Sequence, residues 1–281
     1  MERHIIHRVK GNATVDGAGV HLIRVLGNET VRDFDPFLML DSFDSQRPED
    51  YTAGFPMHPH RGIETITFLA HGSISHSDTL GFEDTISDGE VQYMNAGSGV
   101  LHEERIPPVP RECGLQLWLN LPKEEKMSSP VYHAIKKEDI QEISFDGGVL
   151  RLLMGQYGEK KGYEGHHLPL DYYHILLEPG KSITIPTEED RSVMAFTLQG
   201  NAVIAGENVE EKTAVKLSQG DSVTLTGGNK STEVMFMSSK ALHEPVYWGG
   251  PIVMDTQEKL YDAFQELRKG TFLKEKMIEE D

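Results

Sequence analysis

The sequence predicts an all-β protein built from two similar halves, followed by one short helix. Apolar residues come in short runs, and in "LQLWLNL" they alternate cleanly with the other residues, as in a strand with two distinct faces. The 27 glycines and 14 prolines suit many turns between short strands. No long helical period separates these runs, which favours an antiparallel sandwich or barrel over alternating strands and helices.

A polar, charged, proline-bearing stretch at 121–148 separates the two halves. We therefore predict an N-terminal domain at 1–138 and a C-terminal domain at 139–281. The halves resemble each other, since "LAHGSISH" and "ISDGEVQYMNAG" match the pattern of "TLQGNAVIAG" and "LSQGDSVTLTGG". In both halves, strands alternate with glycine-bearing turns in the same order, which indicates a duplicated β domain.

The segment "MDTQEKLYDAFQELRKG" predicts an amphipathic helix near the end of the chain. Asp255 or Thr256 is the predicted N-cap, and Gly270 marks the end. Apolar residues lie between them at helical spacing, at Leu260, Phe264 and Leu267. We expect this face to cover an exposed sheet edge or face.

Charge and cysteine content narrow the class of protein. The 27 basic and 45 acidic residues give a formal net charge of −18, which disfavours direct binding to nucleic acid. The single cysteine, Cys113, excludes an intrachain disulfide and is interpreted as a core thiol. With no apolar window of roughly 18 residues, we expect a soluble, cytoplasmic protein that does not bind membranes.

Two histidine motifs predict a metal site. In "GFPMHPHRGIETITF", His58 and His60 are two residues apart and share one face of a strand. In "NAGSGVLHEER", His102 and Glu104 have the same spacing. If the two strands meet, three imidazoles and one carboxylate form a four-ligand cluster.

This ligand set suits a borderline divalent ion: Fe(II), Ni(II), Mn(II), Cu(II) or Zn(II). Four ligands leave two octahedral positions open, which favours a reactive site over a closed structural one. Arg61 and Glu64 are predicted either to orient the ligands or only to pair with each other. The remaining histidines, His76 among them, are interpreted as solvated or hydrogen-bonded side chains.

The motifs "HPHRGIETIT", "NAGSGVLHEE", "LQLWLNLP" and "EPVYWGGPIVM", in this order, resemble the pirin family of the cupin superfamily. The resemblance implies a bicupin with two jelly-roll β-barrels. It also implies a mononuclear Fe(II) in the N-terminal barrel, held at His58, His60, His102 and Glu104. The C-terminal barrel is expected to lack a metal site.

For function, the resemblance implies a quercetin 2,3-dioxygenase that cleaves flavonols with O₂ and releases carbon monoxide. The partners are then a flat aromatic substrate and O₂. Glu104 is the predicted catalytic base, provided that its carboxylate can leave the metal and reach the proton. The alternative is an iron-dependent, redox-sensing regulatory protein that binds a transcription factor or a metabolic enzyme. A third interpretation is a structural bicupin whose metal only braces the barrel.

Overall fold

The structure of the chain, a computed structural model, describes residues 1–275, and most of its elements are β-strands, as predicted. The strands are β1 (Ile5–Lys10), β2 (Asn12–Asp16), β3 (Val20–Leu26), β4 (Phe37–Ser45), β5 (Phe55–His60), β6 (Ile63–His71), β7 (Ser73–Asp78), β8 (Glu83–Ser87), β9 (Val91–Asn95), β10 (Val100–Arg105), β11 (Glu112–Asn120), β12 (Val131–Ile135), β13 (Gln141–Phe145), β14 (Gly148–Met154), β15 (Gln156–Tyr157), β16 (Lys160–Lys161), β17 (Leu170–Leu177), β18 (Ser182–Pro186), β19 (Ser192–Gln199), β20 (Ala202–Ile204), β21 (Glu207–Val209), β22 (Thr213–Leu217), β23 (Ser222–Gly227), β24 (Thr232–Ser239), β25 (Tyr247–Gly249) and β26 (Ile252–Met254). The α-helices are α1 (Val31–Phe34) and α2 (Gln257–Lys269), and short 3₁₀ turns lie at Asn28–Thr30, Pro48–Asp50 and Lys137–Asp139. Within the described part of the chain, no helix has the length and apolar character needed to cross a membrane.

The chain forms two compact units that interleave along the sequence. One unit, called the histidine unit because it contains His58, His60 and His102, comprises Ala13–Leu22, Phe37–Lys136 and the described chain from Leu242 onward. The second unit contains Met1–Asn12, Ile23–Pro36 and Lys137–Ala241. The main cut lies close to residue 138, but the ends of the chain belong to the opposite units. The domain ranges 1–138 and 139–281 stay a prediction.

The histidine unit is built on two antiparallel sheets. One has seven strands in the order β12-β9-β6-β11-β4-β3-β2, and the other has four in the order β5-β10-β7-β8. An apolar cluster between the sheets draws residues from both of them, namely Val20, Leu22, Phe43, Leu69, Ile74 and Ile86. Burial of such side chains is the main favourable term in folding, so this cluster holds the two sheets face to face.

The second unit repeats the plan. Its seven-stranded sheet has the order β1-β22-β19-β24-β17-β14-β13, and its four-stranded sheet the order β18-β23-β20-β21. Its interior is filled by apolar side chains that include Leu150, Leu152, Ile175, Val193, Val215, Val223, Val234 and Phe236. The matching pairs of sheets agree with the duplication predicted from the sequence.

Helix α2 begins and ends as the sequence predicts. The Thr256 side chain accepts a hydrogen bond from the backbone N–H of Lys259 at 3.1 Å, and Gly270 ends the helix with a φ of +69°. Its apolar face packs on residues of the histidine unit, and this cluster comprises Leu101, Ile252, Met254, Leu260, Ala263, Phe264, Leu267 and Phe272. The helix therefore covers β26 of the histidine unit.

Gly62 allows a close backbone approach beside the histidine pair. It connects β5 to β6 with a φ of +77°, a conformation that favours glycine. A Cβ atom at this position would lie 2.1 Å from the carbonyl oxygen of Val253. The backbone of the "HPHRG" motif thus lies directly against β26.

We expect Gly62→Ala to lower the free energy of unfolding far more than Gly250→Ala. Gly250 has a φ of +55° and open space around it, so both variants share a conformational cost of about 1 kcal/mol. Only Gly62→Ala adds the clash with Val253, which costs a further ~1–3 kcal/mol. Urea denaturation measures the difference, and equal losses would contradict the proposed close approach.

Candidate metal centre

Strands β5 and β10 bring the two histidine motifs together. They pair antiparallel, with His102 opposite His58 and Val100 opposite His60. The ring centroids are 4.4 Å apart for His58 and His102, and 4.8 Å for His58 and His60. Each of the three histidines offers a nitrogen, and these atoms lie within 4.8 Å of one another. Among the described residues, His58, His60 and His102 form the group of potential metal ligands whose donor atoms lie this close together.

Hydrogen bonds at the outer nitrogens orient two of the rings. Nδ1 of His58 lies 2.9 Å from the carbonyl oxygen of Pro56, and Nδ1 of His60 lies 3.1 Å from that of Pro251. Because a carbonyl oxygen only accepts, both Nδ1 atoms carry the proton and both Nε2 atoms present a lone pair. Nε2 of His58 lies 3.0 Å from Nε2 of His60 and 3.1 Å from Nε2 of His102.

The donor set fits a divalent transition metal. Lone pairs that face one another in a buried site cannot satisfy each other, whereas a cation between them satisfies all of them. Burial, reinforced by His58, lowers the pKa of His60 to about 3. Burial also holds the pKa of His102 well below its ordinary value, with smaller contributions from neighbouring imidazoles. Both rings are therefore neutral near pH 7, which is the form that binds a metal.

Glu104 lies on the buried face of β10, as strand alternation predicts, but it stands apart from the three-histidine group. A β-bulge shifts the register between His102 and Glu104, so Glu104 lies opposite Phe55. Its two carboxylate oxygens accept hydrogen bonds from the side-chain amides of Gln92 at 2.9 Å and Gln116 at 3.2 Å. Its role as the fourth ligand stays a prediction.

Arg61 and Glu64 do not pair with each other, and their side chains bond to residues other than the three histidines. Arg61 forms an ion pair with Glu266 at 2.8 Å and donates to the carbonyl oxygen of Phe272 at 2.7 Å. Glu64 accepts a hydrogen bond from the Tyr93 hydroxyl at 2.6 Å. The alternative in which Arg61 and Glu64 only pair with each other is therefore wrong, because Arg61 binds the segment that follows β26. Their role in orienting the ligands stays a prediction.

The structure adds residues that the sequence interpretation missed. The His76 side chain is buried between Nδ1 of His102, at 3.2 Å, and Oδ2 of Asp78, at 2.9 Å. The Tyr132 ring stacks on it with a centroid distance of 4.3 Å. The signal was available, since "HSD" places His76 and Asp78 two residues apart and therefore on one face of β7.

Aromatic rings surround the histidines. Trp118 packs edge-on against His60 at a centroid distance of 5.1 Å, and Trp248 lies 5.7 Å from Trp118. Phe55 lies 6.4 Å from His58. The ring of His58 is the least buried of the three imidazoles. The site therefore combines two buried imidazoles with a partly open side bordered by aromatic residues.

Comparison with known proteins identifies the family. The family model described as "Pirin" matches residues 19–119, and the "Pirin C-terminal cupin domain" matches residues 172–273. This chain belongs to the pirin family. It has two cupin domains, and the resemblance found in the sequence motifs is confirmed.

Relatives match this pirin over nearly their full length. A pirin-like protein of Caulobacter vibrioides is 38% identical over 275 residues, which cover 96% of this chain and 99% of that protein. Human pirin is 34% identical over 262 residues, covering 91% of this chain and 89% of that protein. A solved structure of a quercetin 2,3-dioxygenase from Acinetobacter baumannii is 30% identical, with a TM-score of 0.91 and coverage of 97% of this chain and 99% of that one.

We predict that Glu64 makes stability depend on pH. Burial raises its pKa from 4.5 to about 7, and the Tyr93 hydrogen bond opposes this only in part. Between these values the folded state binds more protons than the unfolded state, so the free energy of unfolding falls as pH rises from about 4.5 to about 7. At 1.36 kcal/mol per pKa unit, the effect is about 3 kcal/mol.

Glu64→Gln removes this titration, so we expect a flatter pH profile of unfolding free energy for this variant than for the wild type. Urea denaturation from pH 4.5 to 8 gives the profile. The exposed Glu49 supplies the control, since Glu49→Gln leaves the buried carboxyl in place. Parallel curves for wild type and Glu64→Gln would refute the assignment.

Proposed function

We propose that this pirin is a metal-dependent dioxygenase that cleaves flavonols as a quercetin 2,3-dioxygenase does. The observation that carries the proposal is the convergence of Nε2 atoms from His58, His60 and His102, with the Nδ1 protons directed outward. The Acinetobacter structure that matches nearly the whole chain is named as such an enzyme, which supports the choice of substrate class.

The proposed metal is one Fe(II), held by His58, His60 and His102, with Glu104 as the fourth ligand. Nitrogen and carboxylate donors suit Fe(II), and they also suit Ni(II), Mn(II), Cu(II) and Zn(II). When bound, the metal supplies Lewis-acid chemistry to the substrate hydroxyl and a meeting point for O₂.

The aromatic residues around the histidines suit a flat substrate. Trp118, Trp248 and Phe55 border the imidazoles, so a polycyclic ring has aromatic faces to pack against. Phe68 is fully buried, and Met57 is about half exposed. The substrate enters past His58 in this proposal, because the other two imidazoles are buried.

Glu104 is the proposed base for the proton of the flavonol 3-hydroxyl. The amides of Gln92 and Gln116 fix the orientation of its carboxylate, which reduces the reorganisation needed for proton transfer. The overall reaction consumes one flavonol and one O₂. Both oxygen atoms enter the ring-opened ester, and the carbon that bore the 3-hydroxyl leaves as carbon monoxide.

We expect purified protein to carry close to one transition-metal ion per chain, and His58→Ala to lose most of it. Removing one of three converging nitrogens leaves an incomplete donor set. Elemental analysis measures the metal content. His133→Ala, at an exposed histidine on β12, is the control and keeps wild-type content. Full metal content in His58→Ala would refute the site.

Iron-loaded wild-type protein is expected to consume quercetin and O₂ and to release carbon monoxide in equal amounts. Glu104→Gln keeps the size of the side chain but cannot take a proton, so we expect kcat to fall by about 10²–10⁴-fold. Iron content of the same sample separates loss of the base from loss of a ligand. No carbon monoxide from fully loaded wild-type protein would exclude this substrate and favour the regulatory role.

A further inference from the structure

We propose that Asp78 and His76 are positioning residues that set the tautomer of His102 and thereby complete the metal-binding donor set. This inference rests on the proposed metal site. It concerns a chain of hydrogen bonds from β7 to β10, in which Asp78 contacts His76 and His76 contacts His102. The side chains of His76 and Asp78 are 0% and 1% exposed, and His102 is 1% exposed, so solvent does not compete for these bonds.

The chain of bonds has a fixed direction at its Asp78 end. Oδ1 of Asp78 accepts the backbone N–H groups of Leu80 at 2.8 Å and Phe82 at 3.1 Å. Oδ2 lies 2.9 Å from Nε2 of His76. A carboxylate that already accepts two backbone N–H groups acts as an acceptor toward the imidazole as well. Nε2 of His76 therefore carries the proton.

The direction passes from His76 to the metal centre. A His76 ring with its single proton on Nε2 has a lone pair on Nδ1, which lies 3.2 Å from Nδ1 of His102. His102 must then donate from Nδ1, and its own Nε2 presents a lone pair. That Nε2 lies 3.1 Å from Nε2 of His58, so the lone pair faces the centre of the cluster.

His102 differs from the other two histidines in the kind of group that fixes its tautomer. Backbone carbonyl groups of Pro56 and Pro251 fix the tautomers of His58 and His60, and no side-chain substitution can reverse a carbonyl. The tautomer of His102 depends on two side chains instead. The stacked Tyr132 ring holds the plane of His76 at an interplanar angle of 19°. The tautomer of His102 is therefore the one that a substitution can reverse without replacing any of the three histidines.

Asp78→Asn tests the direction with little change of shape. In this variant the side-chain carbonyl oxygen keeps the two backbone N–H bonds, and the side-chain amide then donates to Nε2 of His76. His76 must move its proton to Nδ1, and His102 must accept there and carry its own proton on Nε2. The Nε2 proton then faces the centre and blocks binding of a cation.

We expect ¹⁵N NMR of the metal-free wild type to show His102 protonated at Nδ1, and of Asp78→Asn to show it protonated at Nε2. Anaerobic competition with a chelator gives the Kd for Fe(II). We expect Asp78→Asn and His76→Leu to weaken Fe(II) binding by about 10–100-fold, the typical effect of losing a partner of a metal ligand. His76→Gln recovers part of this affinity, because its carbonyl oxygen accepts from Nδ1 of His102.

His133→Leu, at an exposed position of β12, is the control and should keep wild-type affinity within about twofold, because His133 is not a member of the chain Asp78–His76–His102. An Nε2 proton on His102 in the wild type would overturn the proposal, and this measurement needs no variant to fold. Unchanged Fe(II) affinity in folded Asp78→Asn would overturn it as well. If the wild type binds Fe(II) but releases no carbon monoxide from quercetin, the proposed reaction fails while the positioning role stands.

Discussion

The structure of the site depends on one constraint, that imidazole nitrogens facing one another must be free of protons. An imidazole meets this condition only when its other nitrogen has an acceptor, so each of the three histidines needs a fixed partner on its outer side. Pro56 and Pro251 supply carbonyl oxygens for His58 and His60. For His102 the partner is a side chain, which makes β7 as necessary to the site as the two strands that carry the histidines.

The segment after residue 241 is part of this arrangement. It carries Pro251, whose carbonyl oxygen orients His60, and Trp248, which extends the aromatic border. Arg61 binds it through Glu266 and Phe272, and the guanidinium also lies 4.1 Å above the Phe272 ring. The Arg61 side chain is buried, and a buried charged group persists only where its partners are in place. The last part of the chain thus completes the wall of the first cupin domain.

Lys126 strengthens the same contact. Its buried ammonium group donates to the carbonyl oxygens of Gly62 and Val253, at 2.9 and 3.1 Å, and to the side-chain oxygen of Asn120 at 2.7 Å. Three acceptors around three donor hydrogens satisfy the group fully. The turn after the histidine pair is therefore held against β26 in two ways: by the close backbone approach of Gly62 to Val253 and by the hydrogen bonds of Lys126.

Each unit has its own seven-stranded and four-stranded sheet, and the side chains enclosed between them differ. In the second unit the interior is apolar, and Tyr173 stacks on Phe236 with a centroid distance of 5.2 Å. In the histidine unit, strand β11 turns Gln116 toward Glu104 and Trp118 toward His60. One duplicated framework thus encloses an apolar cluster in one unit and places polar side chains beside the three histidines in the other.

Local patterns in the sequence determined the all-β class, the duplication, the caps of helix α2 and the pairing of His58 with His60, because these depend on periodicity and on residues a few positions apart. The same alternation placed Glu104 on the buried face with His102. Only the tertiary structure decided that Glu104 bonds to Gln92 and Gln116, that Arg61 binds Glu266, and that Pro251 orients His60. Those contacts join segments that strand pairing and the return of the chain bring together, and neither composition nor spacing encodes such distances.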